Sequence, residues 1–436
     1  MARELFGTDG VRGVAGEFLT ADLALGLGRA AATISPAAVP QVLIVRDTRE
    51  SGEMLEASVA AGVAAAGGHA LLGGVLPTPG AALLVRRYGF DLAAVVSASH
   101  NPYRDNGIKF FGPDGTKIDD EQEERMEDLL VAPPERPIGR VRELHGTAGD
   151  YVRELELRFR DLDLSGRRVL LDCANGASYR VAPEAFRRLG AEVDAIAVEP
   201  DGRNINENCG STHIEGLRRR VPEGGYDVGF AFDGDADRVL AVDREGSVVD
   251  GDELMALAAL HLRGAGRLSG GGVAVTVMTN FGFHTAMKAA GVEVATTPVG
   301  DRYVLAELLR RGWALGGEQS GHIIDTGFAP AGDGTATALL TMEALGTRDL
   351  AERHAMEKLP QRLVNVTVAR REKLDSARGL REAVEHESKA LEGRGRVLVR
   401  PSGTEPLVRV MVEAPDDDEC EEIAGRLAKI VESELG

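Results

Sequence analysis

The stretch from residue 91 to residue 111, DLAAVVSASHNPYRDNGIKFF, holds a serine at a position where it could act as a nucleophile. The apolar residues Leu92 to Val96 predict a buried strand, and a polar loop with Ser97, Ser99 and His100 follows. A hydroxyl on a loop between two strands is where an α/β protein presents a reactive side chain. On this stretch alone, a surface turn that contains serines by coincidence is an equal alternative.

A Ser-His-Asp hydrolase is not favoured, because the G-x-S-x-G elbow of that class is missing around Ser99. Ser99 and His100 are also adjacent, and on extended backbone adjacent side chains point apart.

Residues 105–107, Asp-Asn-Gly, predict a turn, and residues 108–111 predict a second short strand.

Three aspartates alternate in FDGDADR, residues 232–238, directly after a predicted strand. On extended backbone every second side chain points the same way, so the carboxylates of Asp233, Asp235 and Asp237 should converge. Converging carboxylates repel one another, and a hard divalent cation, best matched by Mg²⁺, removes that repulsion. An EF-hand is excluded because Arg238 stands where that loop needs glycine. A solvated acidic turn is the alternative.

The segment RPSGTEPLVRV, residues 400–410, resembles a phosphate clamp in its chemistry. Two arginines, Arg400 and Arg409, bracket the small residues, which let backbone N–H groups and hydroxyls approach a ligand. Those small residues are Ser402, Gly403 and Thr404. A Walker loop needs glycines and a lysine in another order. A tight turn with exposed arginines is the alternative.

The segment GGEQSGH, residues 316–322, puts a carboxylate and a hydroxyl on a glycine-flanked loop. Glu318 and Ser320 suit hydrogen bonds to sugar hydroxyls, and His322 could move protons near neutral pH. A lone histidine is more often structural than catalytic, so this segment is a weak signal by itself.

Strands alternate with helices over most of the chain, which predicts βαβ units and a largely parallel sheet. The G-x-G-x-x-A match at residues 26–31 lies inside a helical pattern with no strand before it, so no dinucleotide site is expected. The last part of the chain changes to an α+β pattern. We therefore expect an α/β fold with three similar mixed α/β sandwich domains and a smaller α+β C-terminal domain around a central cleft. The predicted domains are residues 1–148, 149–250, 251–359 and 360–436.

Composition narrows the class of protein. The formal net charge of -19 argues against a nucleic-acid partner, which would need a basic face. The three cysteines show neither metal-finger spacing nor a disulfide framework, as expected in a reducing cytoplasm. The N-terminal residues lack an apolar signal core, and no run is long enough to span a membrane. These features predict a cytoplasmic protein without a membrane partner.

Four motifs in this order resemble the α-D-phosphohexomutase superfamily over the whole chain: SASHNP at 97–102, DGDADR at 233–238, GEQSGH at 317–322 and RPSGTEP at 400–406. Further segments favour the members that act on hexosamine phosphates, namely FGTDGVRG at 6–13, INENCGSTH at 205–213, VGDRYV at 299–304 and the glutamine after Glu318. Members that act on mannose or glucose phosphates are the alternative.

The resemblance implies an enzyme that moves a phosphoryl group between two positions of a small hexosamine phosphate, through a phosphoserine and a bisphosphate. It implies that Ser99 is the phosphoserine and that its phosphate and the three aspartates hold Mg²⁺. It also implies a homodimer, a sugar contact through Glu318 and Ser320, and a clamp on the non-reacting phosphate through residues 400–410. The residues implied to lie near the transferring group are Arg12, His100, Lys109 and Arg238, with Lys109 and His322 as candidates for the acid and base.

Overall fold

A computed structural model describes residues 5–7, 9–130, 137–402 and 407–436 of the chain. Its residues divide into two compact units. The first unit comprises Met1–Val277 and Glu293–Arg353, and the second comprises Met278–Val292 and His354–Gly436. The first unit contains three sheets flanked by helices, and the second contains a smaller antiparallel sheet. The predicted fold class of three α/β domains plus a smaller α+β C-terminal domain is confirmed.

The first sheet has six strands. Its elements are β1 (Val11–Val14), α1 (Ala21–Ile34), β2 (Gln41–Arg46), α2 (Gly52–Ala65), β3 (His69–Val75), α3 (Thr78–Tyr88), β4 (Leu92–Val96), β5 (Asp105–Phe111), α4 (Asp120–Leu129) and β6 (Arg140–Glu143). The strand order is β1-β5-β4-β2-β3-β6. The central strands β2 and β4 pair in parallel and are buried on both faces, which explains their unbroken apolar sequences.

Strand β5 runs antiparallel to both β4 and β1, and this pairing positions two basic residues. Arg12 lies opposite Gly107, and Lys109 lies opposite Val95. The predicted turn at residues 105–107 is wrong, because those residues already form ladder pairs with β1.

Helices α1 and α2 pack closely through glycine. A Cβ atom on Gly28 would come within 2.2 Å of the carbonyl oxygen of Val59, so only glycine allows this approach. The G-x-G-x-x-A match therefore lies within α1 and serves helix packing.

The second sheet has the order β11-β10-β9-β7-β8. Its elements are α5 (Thr147–Arg158), β7 (Arg168–Asp172), α6 (Val181–Arg188), β8 (Glu192–Ile196), α7 (Glu215–Gly224), β9 (Val228–Phe232), β10 (Val239–Asp243) and β11 (Val248–Val249). Strands β9 and β10 are antiparallel and pair Phe232 with Val239. The aspartate segment therefore forms the connection between two buried strands.

The third sheet has the order β13-β12-β14-β15. The elements of this stretch are α8 (Gly251–Gly264), β12 (Gly272–Thr276), α9 (Phe281–Ala289), β13 (Glu293–Thr297), α10 (Asp301–Arg311), β14 (Leu315–Gly317), β15 (Ile323–Asp325) and α11 (Gly334–Leu345). Of these, α9 belongs to the second unit. The short antiparallel pair β14–β15 encloses the GGEQSGH segment, which forms the connection between them.

The second unit has a three-stranded antiparallel sheet. Its further elements are β16 (Gln361–Thr367), α12 (Arg378–Ala390), β17 (Arg396–Pro401), β18 (Leu407–Glu413) and α13 (Asp417–Leu435), and the strand order is β16-β18-β17. The fully buried Glu413 accepts hydrogen bonds from Arg396 at 2.7 Å and from the backbone N–H of Phe281 at 2.9 Å, which ties α9 to this sheet. Across the described ranges, no helix has the length and apolar character needed to span a membrane.

Candidate active site

The serine loop follows β4 and turns sharply at Ser99. Ser99 has a φ of +51°, which is left-handed backbone, and its residue is only 2% exposed. Its Oγ donates to Asp233 Oδ2 at 2.5 Å and lies 3.3 Å from Nδ1 of His100. The prediction that the side chains of Ser99 and His100 point apart is wrong, because it assumed extended backbone. The turn brings both side chains to one side of the loop.

A buried ion pair between Arg49 and Asp47 holds the serine loop in place. Arg49, 1% exposed, binds Asp47 at 2.8 Å and donates to the carbonyl oxygens of Ser99 at 2.8 Å and Asp105 at 2.9 Å. Ser97 Oγ donates to Asp47 Oδ2 at 2.6 Å and accepts the backbone N–H of Ser99 at 2.9 Å. The two ends of the loop and Ser99 therefore share one anchor.

The three aspartates converge, as predicted, but by a different route. Their carboxylate oxygens lie within 4.8 Å of one another, and all three residues are buried. The segment is a turn between β9 and β10 rather than extended backbone, with Ala236 at a φ of +58°. The turn directs the carboxylates of Asp233, Asp235 and Asp237 to a common point.

The aspartate cluster fits a hard divalent cation. Oδ1 of Asp235 and Oδ1 of Asp237 are buried and have no hydrogen-bond partner among the described residues. Burial and the neighbouring carboxylates of Asp237 and Asp235 raise the pKa of Asp233 well above its usual value. Ca²⁺ and Mg²⁺ bind oxygen ligands. Buried carboxylate oxygens that repel one another and accept no hydrogen bond are suitable ligands for such an ion. These residues could therefore hold such a metal.

Lys109 supplies positive charge to this cluster. Its Nζ lies 2.9 Å from Asp235 Oδ2 and 3.0 Å from Asp9 Oδ2. Burial opposes the charged amine, but Asp235 and Asp9 outweigh it and raise the pKa of Lys109. Burial likewise tends to raise the pKa of Asp235, whereas Lys109 and the hydroxyl of Thr78, at 2.6 Å, lower it below its usual value. Lys109 is thus an ammonium ion at neutral pH.

A chain of alternating charges continues from Lys109. Asp9 binds Lys117, whose Nζ also lies 2.5 Å from Asp301 Oδ2. Asp301 lies 3.9 Å from Nε2 of His322, and Nδ1 of His322 lies 3.5 Å from Asp237. Burial disfavours a charged imidazole, but Asp237 and Asp301 raise the pKa of His322 to about 9. The two candidates for proton transfer, Lys109 and His322, therefore belong to one charge network.

Further basic groups lie at the serine side. The backbone N–H of Arg238 donates to Asp233 Oδ1 at 3.1 Å, and Arg12 is ion-paired with Asp9. Burial, Arg238 and Arg12 lower the pKa of His100. His100 is therefore a neutral imidazole at pH 7 and can accept a proton.

The GGEQSGH segment lies against β10. A Cβ atom on Gly321, whose φ is +90°, would come within 2.0 Å of the carbonyl oxygen of Val239, and the N–H of Val239 donates to the Gly321 carbonyl at 3.1 Å. Glu318 is half-buried and accepts the N–H of Gly300 at 2.9 Å. The hydroxyl of Ser320 lies 3.5 Å from the second carboxylate oxygen of Glu318 and is exposed.

The two arginines of the predicted phosphate clamp lie directly opposite each other on β17 and β18 of the second unit. Burial and the charge of Arg409 lower the pKa of Arg400. Like charges at opposing positions of an antiparallel pair are unfavourable, and an anion relieves them. The N–H of Ser402 donates to the carbonyl of Leu407 at 2.9 Å. Gly403 and Thr404 lie outside the described residues.

Several residues of this site carry no role in the sequence-based prediction. They are Asp9, Asp47, Arg49, Thr78, Lys117, Asn206 and Asp301. Asp9, Asn206 and Asp301 lie in segments noted only for their resemblance, FGTDGVRG, INENCGSTH and VGDRYV. Their signal was a polar residue in a turn-rich segment between apolar runs, which does not reveal a distant partner.

Comparison with known proteins places the chain in a family. Four family profiles match it: Phosphoglucomutase/phosphomannomutase alpha/beta/alpha domain I at residues 3–135, domain II at 149–246, domain III at 250–363, and the C-terminal domain at 363–430. The chain belongs to the phosphoglucomutase/phosphomannomutase family of α-D-phosphohexomutases. It is an enzyme of the isomerase class, an intramolecular phosphotransferase.

Full-length relatives narrow this class. A phosphoglucosamine mutase of Moorella thermoacetica is 50% identical over 439 residues, covering 98% of this chain and 99% of the relative. A second, of Mycolicibacterium paratuberculosis, is 49% identical over 440 residues, covering 98% of each. In fold, a phosphoglucomutase/phosphomannomutase family protein of Burkholderia thailandensis matches with a TM-score of 0.83 at 24% identity, covering 98% of this chain and 97% of that structure. Both of these relatives belong to the members that act on hexosamine phosphates, which the sequence analysis favours over those that act on mannose or glucose phosphates.

Proposed function

We propose that the chain interconverts glucosamine 6-phosphate and glucosamine 1-phosphate, with Ser99 carrying the phosphoryl group. The observation that carries this proposal is the contact of Ser99 Oγ with Asp233, 2.5 Å away at the edge of a buried carboxylate cluster. A serine hydroxyl beside a cation site is suited to phosphoryl transfer, which needs positioning and charge neutralisation more than covalent help. The product, glucosamine 1-phosphate, is a precursor of UDP-N-acetylglucosamine.

The reaction consists of two transfers. In the first, the bond between phosphorus and Ser99 Oγ breaks, a bond from phosphorus to a sugar hydroxyl oxygen forms, the hydroxyl proton passes to a base, and Ser99 Oγ takes up a proton. In the second, the other phosphoryl group of the resulting bisphosphate leaves its sugar oxygen and moves to Ser99 Oγ, which gives up its proton to a base, and the sugar oxygen takes up a proton. Phosphate is conserved over the cycle, and the enzyme ends phosphorylated.

Asp233, Asp235, Asp237 and the phosphate on Ser99 would hold Mg²⁺, which neutralises negative charge on the phosphoryl oxygens. The buried Oδ1 atoms of Asp235 and Asp237, which accept no hydrogen bond from the described residues, support this assignment. The protein's own cations act on the same charge. Lys109 contributes its ammonium group, and Arg238 and Arg12 contribute guanidinium groups.

Three residues that differ in charge are assigned to proton transfer. Lys109 is held as an ammonium ion by Asp235 and Asp9, so it can donate but not accept a proton, and its raised pKa makes it a weaker acid than His322. His322, with a pKa raised to about 9, carries a proton that it can give to a leaving sugar oxygen. His100 is neutral and lies 3.3 Å from Ser99 Oγ, so it can accept the serine proton when the phosphoryl group returns.

Substrate binding is assigned to two further segments. Glu318 and Ser320 offer a carboxylate and an exposed hydroxyl to the sugar hydroxyls and the amino group. The second unit offers Arg400 and Arg409 to the phosphate that does not react, together with Ser402, Gly403 and Thr404. Guanidinium groups recognise phosphate by its geometry, which suits a clamp that must accept either phosphate of the bisphosphate.

The test is an assay of glucosamine 6-phosphate turnover with Mg²⁺ and a catalytic amount of the 1,6-bisphosphate. Formation of glucosamine 1-phosphate is expected, with a higher kcat/KM than for glucose or mannose phosphates. Ser99→Ala should lose turnover and keep the native circular dichroism spectrum. Near-normal turnover in that variant would exclude the phosphoserine mechanism, and net release of inorganic phosphate would indicate a phosphatase instead.

A further inference from the structure

Residues 3–135 and 149–246, which contain most of the first and second sheets, are called here the first and second sheet domains. Asn206 connects the second sheet domain to the serine loop of the first. It is 5% exposed and lies in the loop between β8 and α7. Its backbone has a φ of +58°, a left-handed conformation that asparagine tolerates better than most residues. The N–H of Asn206 donates to the carbonyl of Ala174 at 2.9 Å, in the loop after β7. The backbone of Asn206 is thus fixed to its own domain.

The side-chain amide of Asn206 reaches the serine loop of the first domain. Nδ2 donates to the carbonyl oxygen of Ser99 at 2.9 Å and to that of Asn101 at 3.2 Å. The Ser99 carbonyl also accepts from Arg49 at 2.8 Å. A carbonyl oxygen has two lone pairs, so one donor from each domain satisfies it fully.

The aspartate segment, residues 232–238, packs closely against the carbonyl oxygen of Ser99. A Cβ atom on Gly234 would come within 2.5 Å of the Ser99 carbonyl oxygen and within 2.8 Å of Nδ2 of Asn206. Gly234 lies between two of the aspartates. The aspartate segment therefore contacts both the peptide group of Ser99 and the side-chain amide of Asn206. The distance from Ser99 Oγ to Asp233 depends on this three-way contact.

Arg49 and Asn206 hold the carbonyl oxygen of Ser99 from two different domains. Arg49 and its partner Asp47 belong to the first sheet domain, and their hydrogen bonds shape the serine loop from within that domain. Asn206 belongs to the domain that carries Asp233. The left-handed backbone of Ser99 is unfavourable in a residue other than glycine, so surrounding contacts must hold it.

We infer that Asn206 is a positioning residue that aligns Ser99 Oγ with the aspartate cluster for phosphoryl transfer. This inference rests on the proposed function, because it assumes that Ser99 carries the phosphoryl group. It predicts an effect on the rate of transfer rather than on substrate binding. A misplacement of reacting atoms by about 1 Å can slow a reaction by about 100-fold.

The experiment compares two asparagines of the same loop. Asn208 also has left-handed backbone, with a φ of +54°, but its side chain is exposed. Asn206→Asp keeps the size and removes the amide donor, and Asn206→Gly removes the side chain where glycine accepts the backbone conformation. Asn208→Asp and Asn208→Gly are the matched controls.

Dephosphorylated protein is mixed with glucosamine 1,6-bisphosphate and Mg²⁺, and phosphorylation of Ser99 is followed by intact mass. Thermal midpoint, kcat and KM for glucosamine 6-phosphate are measured alongside. We expect the Asn206 variants to be phosphorylated about 10- to 100-fold more slowly, with kcat reduced in parallel and KM changed less than about twofold. The Asn208 variants should match the wild type.

Each outcome separates the two proposals. Wild-type rates of phosphorylation in a folded Asn206 variant overturn the inference, as does a raised KM at unchanged kcat. If Asn206→Asp fails to fold, Asn206→Gly still decides, since it relieves rather than strains the backbone. If the wild type itself takes up no phosphate on Ser99, the proposed function fails, and the inference falls with it because it assumes that Ser99 carries the phosphoryl group.

Discussion

Asp233 and Asp235 belong to one buried carboxylate cluster, yet their charges stand in opposite environments. Asp235 is paired with Lys109 at 2.9 Å and has a lowered pKa, whereas burial and its neighbours raise the pKa of Asp233. In the metal-free protein, ionised Asp235 therefore stabilises the fold and ionised Asp233 destabilises it. A bound divalent cation would favour both charges.

Two isosteric variants should separate these effects. At pH 7.5 with EDTA, Asp233→Asn should raise the free energy of unfolding, because it removes a carboxyl group whose ionised form burial and the neighbouring carboxylates disfavour. Asp235→Asn should lower it, because Lys109 loses a buried partner. Added Mg²⁺ should stabilise the wild type more than either variant. Urea unfolding with and without Mg²⁺ measures this, and the same sign for both variants in EDTA would contradict the assigned environments.

Lys117 joins Asp9 and Asp301, and through them Lys109 and His322. Lys117→Met leaves two carboxylates without their shared cation, so we expect a loss of about 3 kcal/mol in stability. Lys117→Arg should recover much of it, and Lys288→Met, at an exposed position of α9, should have little effect.

A double-mutant cycle tests whether the Lys117 contact itself is responsible. Lys117→Met combined with Asp301→Asn should be less destabilised than the sum of the single variants, with a coupling of about 1 to 3 kcal/mol. Additive effects would mean that the two residues act independently, despite lying 2.5 Å apart.

The sequence predicts the structure where the signal lies in neighbouring residues. Strands such as β2, β4 and β7 are short apolar runs, and the aspartates lie within five residues of one another, so both could be predicted. Short strands such as β15 have little pattern of their own, because pairing with a neighbour defines them. The phosphoserine assignment came from resemblance, since the residues of the loop alone left a surface turn as an equal alternative.

Long-range contacts and left-handed backbone escaped prediction. Lys117 and Asp301 are 184 positions apart, and only the folded sheets bring their charges together. The contact between Ser99 and His100 depends on a φ of +51°, which nothing in the residue type serine requires. Asn206 lies in the INENCGSTH segment, which resembles the family, but its contact is with a carbonyl group 107 positions away.

Gly321 and Gly146 offer a test of how tightly the GGEQSGH segment must approach β10. Their φ values are +90° and +91°, so alanine is equally strained at both. A Cβ atom on Gly321 would lie 2.0 Å from the Val239 carbonyl, whereas one on Gly146 would have nothing within 4 Å. Gly146→Ala should cost about 1 kcal/mol, and Gly321→Ala clearly more, with a loss of mutase activity. Equal thermal midpoints for the two variants would show that the close approach at Gly321 is not required.

Asp333 should make stability depend on pH. It caps α11, accepts the hydroxyl of Tyr151 at 2.8 Å and 2.9 Å, and has a pKa raised to about 6, chiefly by burial. Because the folded-state pKa lies above the unfolded value, ionised Asp333 lowers stability at pH 7, and the protein recovers that stability as the pH falls through about 6 towards 4.

The comparison that isolates this group is the wild type against Asp333→Asn, which is neutral at every pH. Between pH 7 and pH 5, the wild type should gain free energy of unfolding relative to the variant, by up to about 1.4 kcal/mol per pH unit. Tyr151→Phe removes a hydrogen bond that favours the ionised carboxylate, so it should move this gain to higher pH. Urea unfolding at pH 5, 6 and 7 gives the three curves, and parallel curves for wild type and Asp333→Asn would exclude a raised pKa at this helix cap.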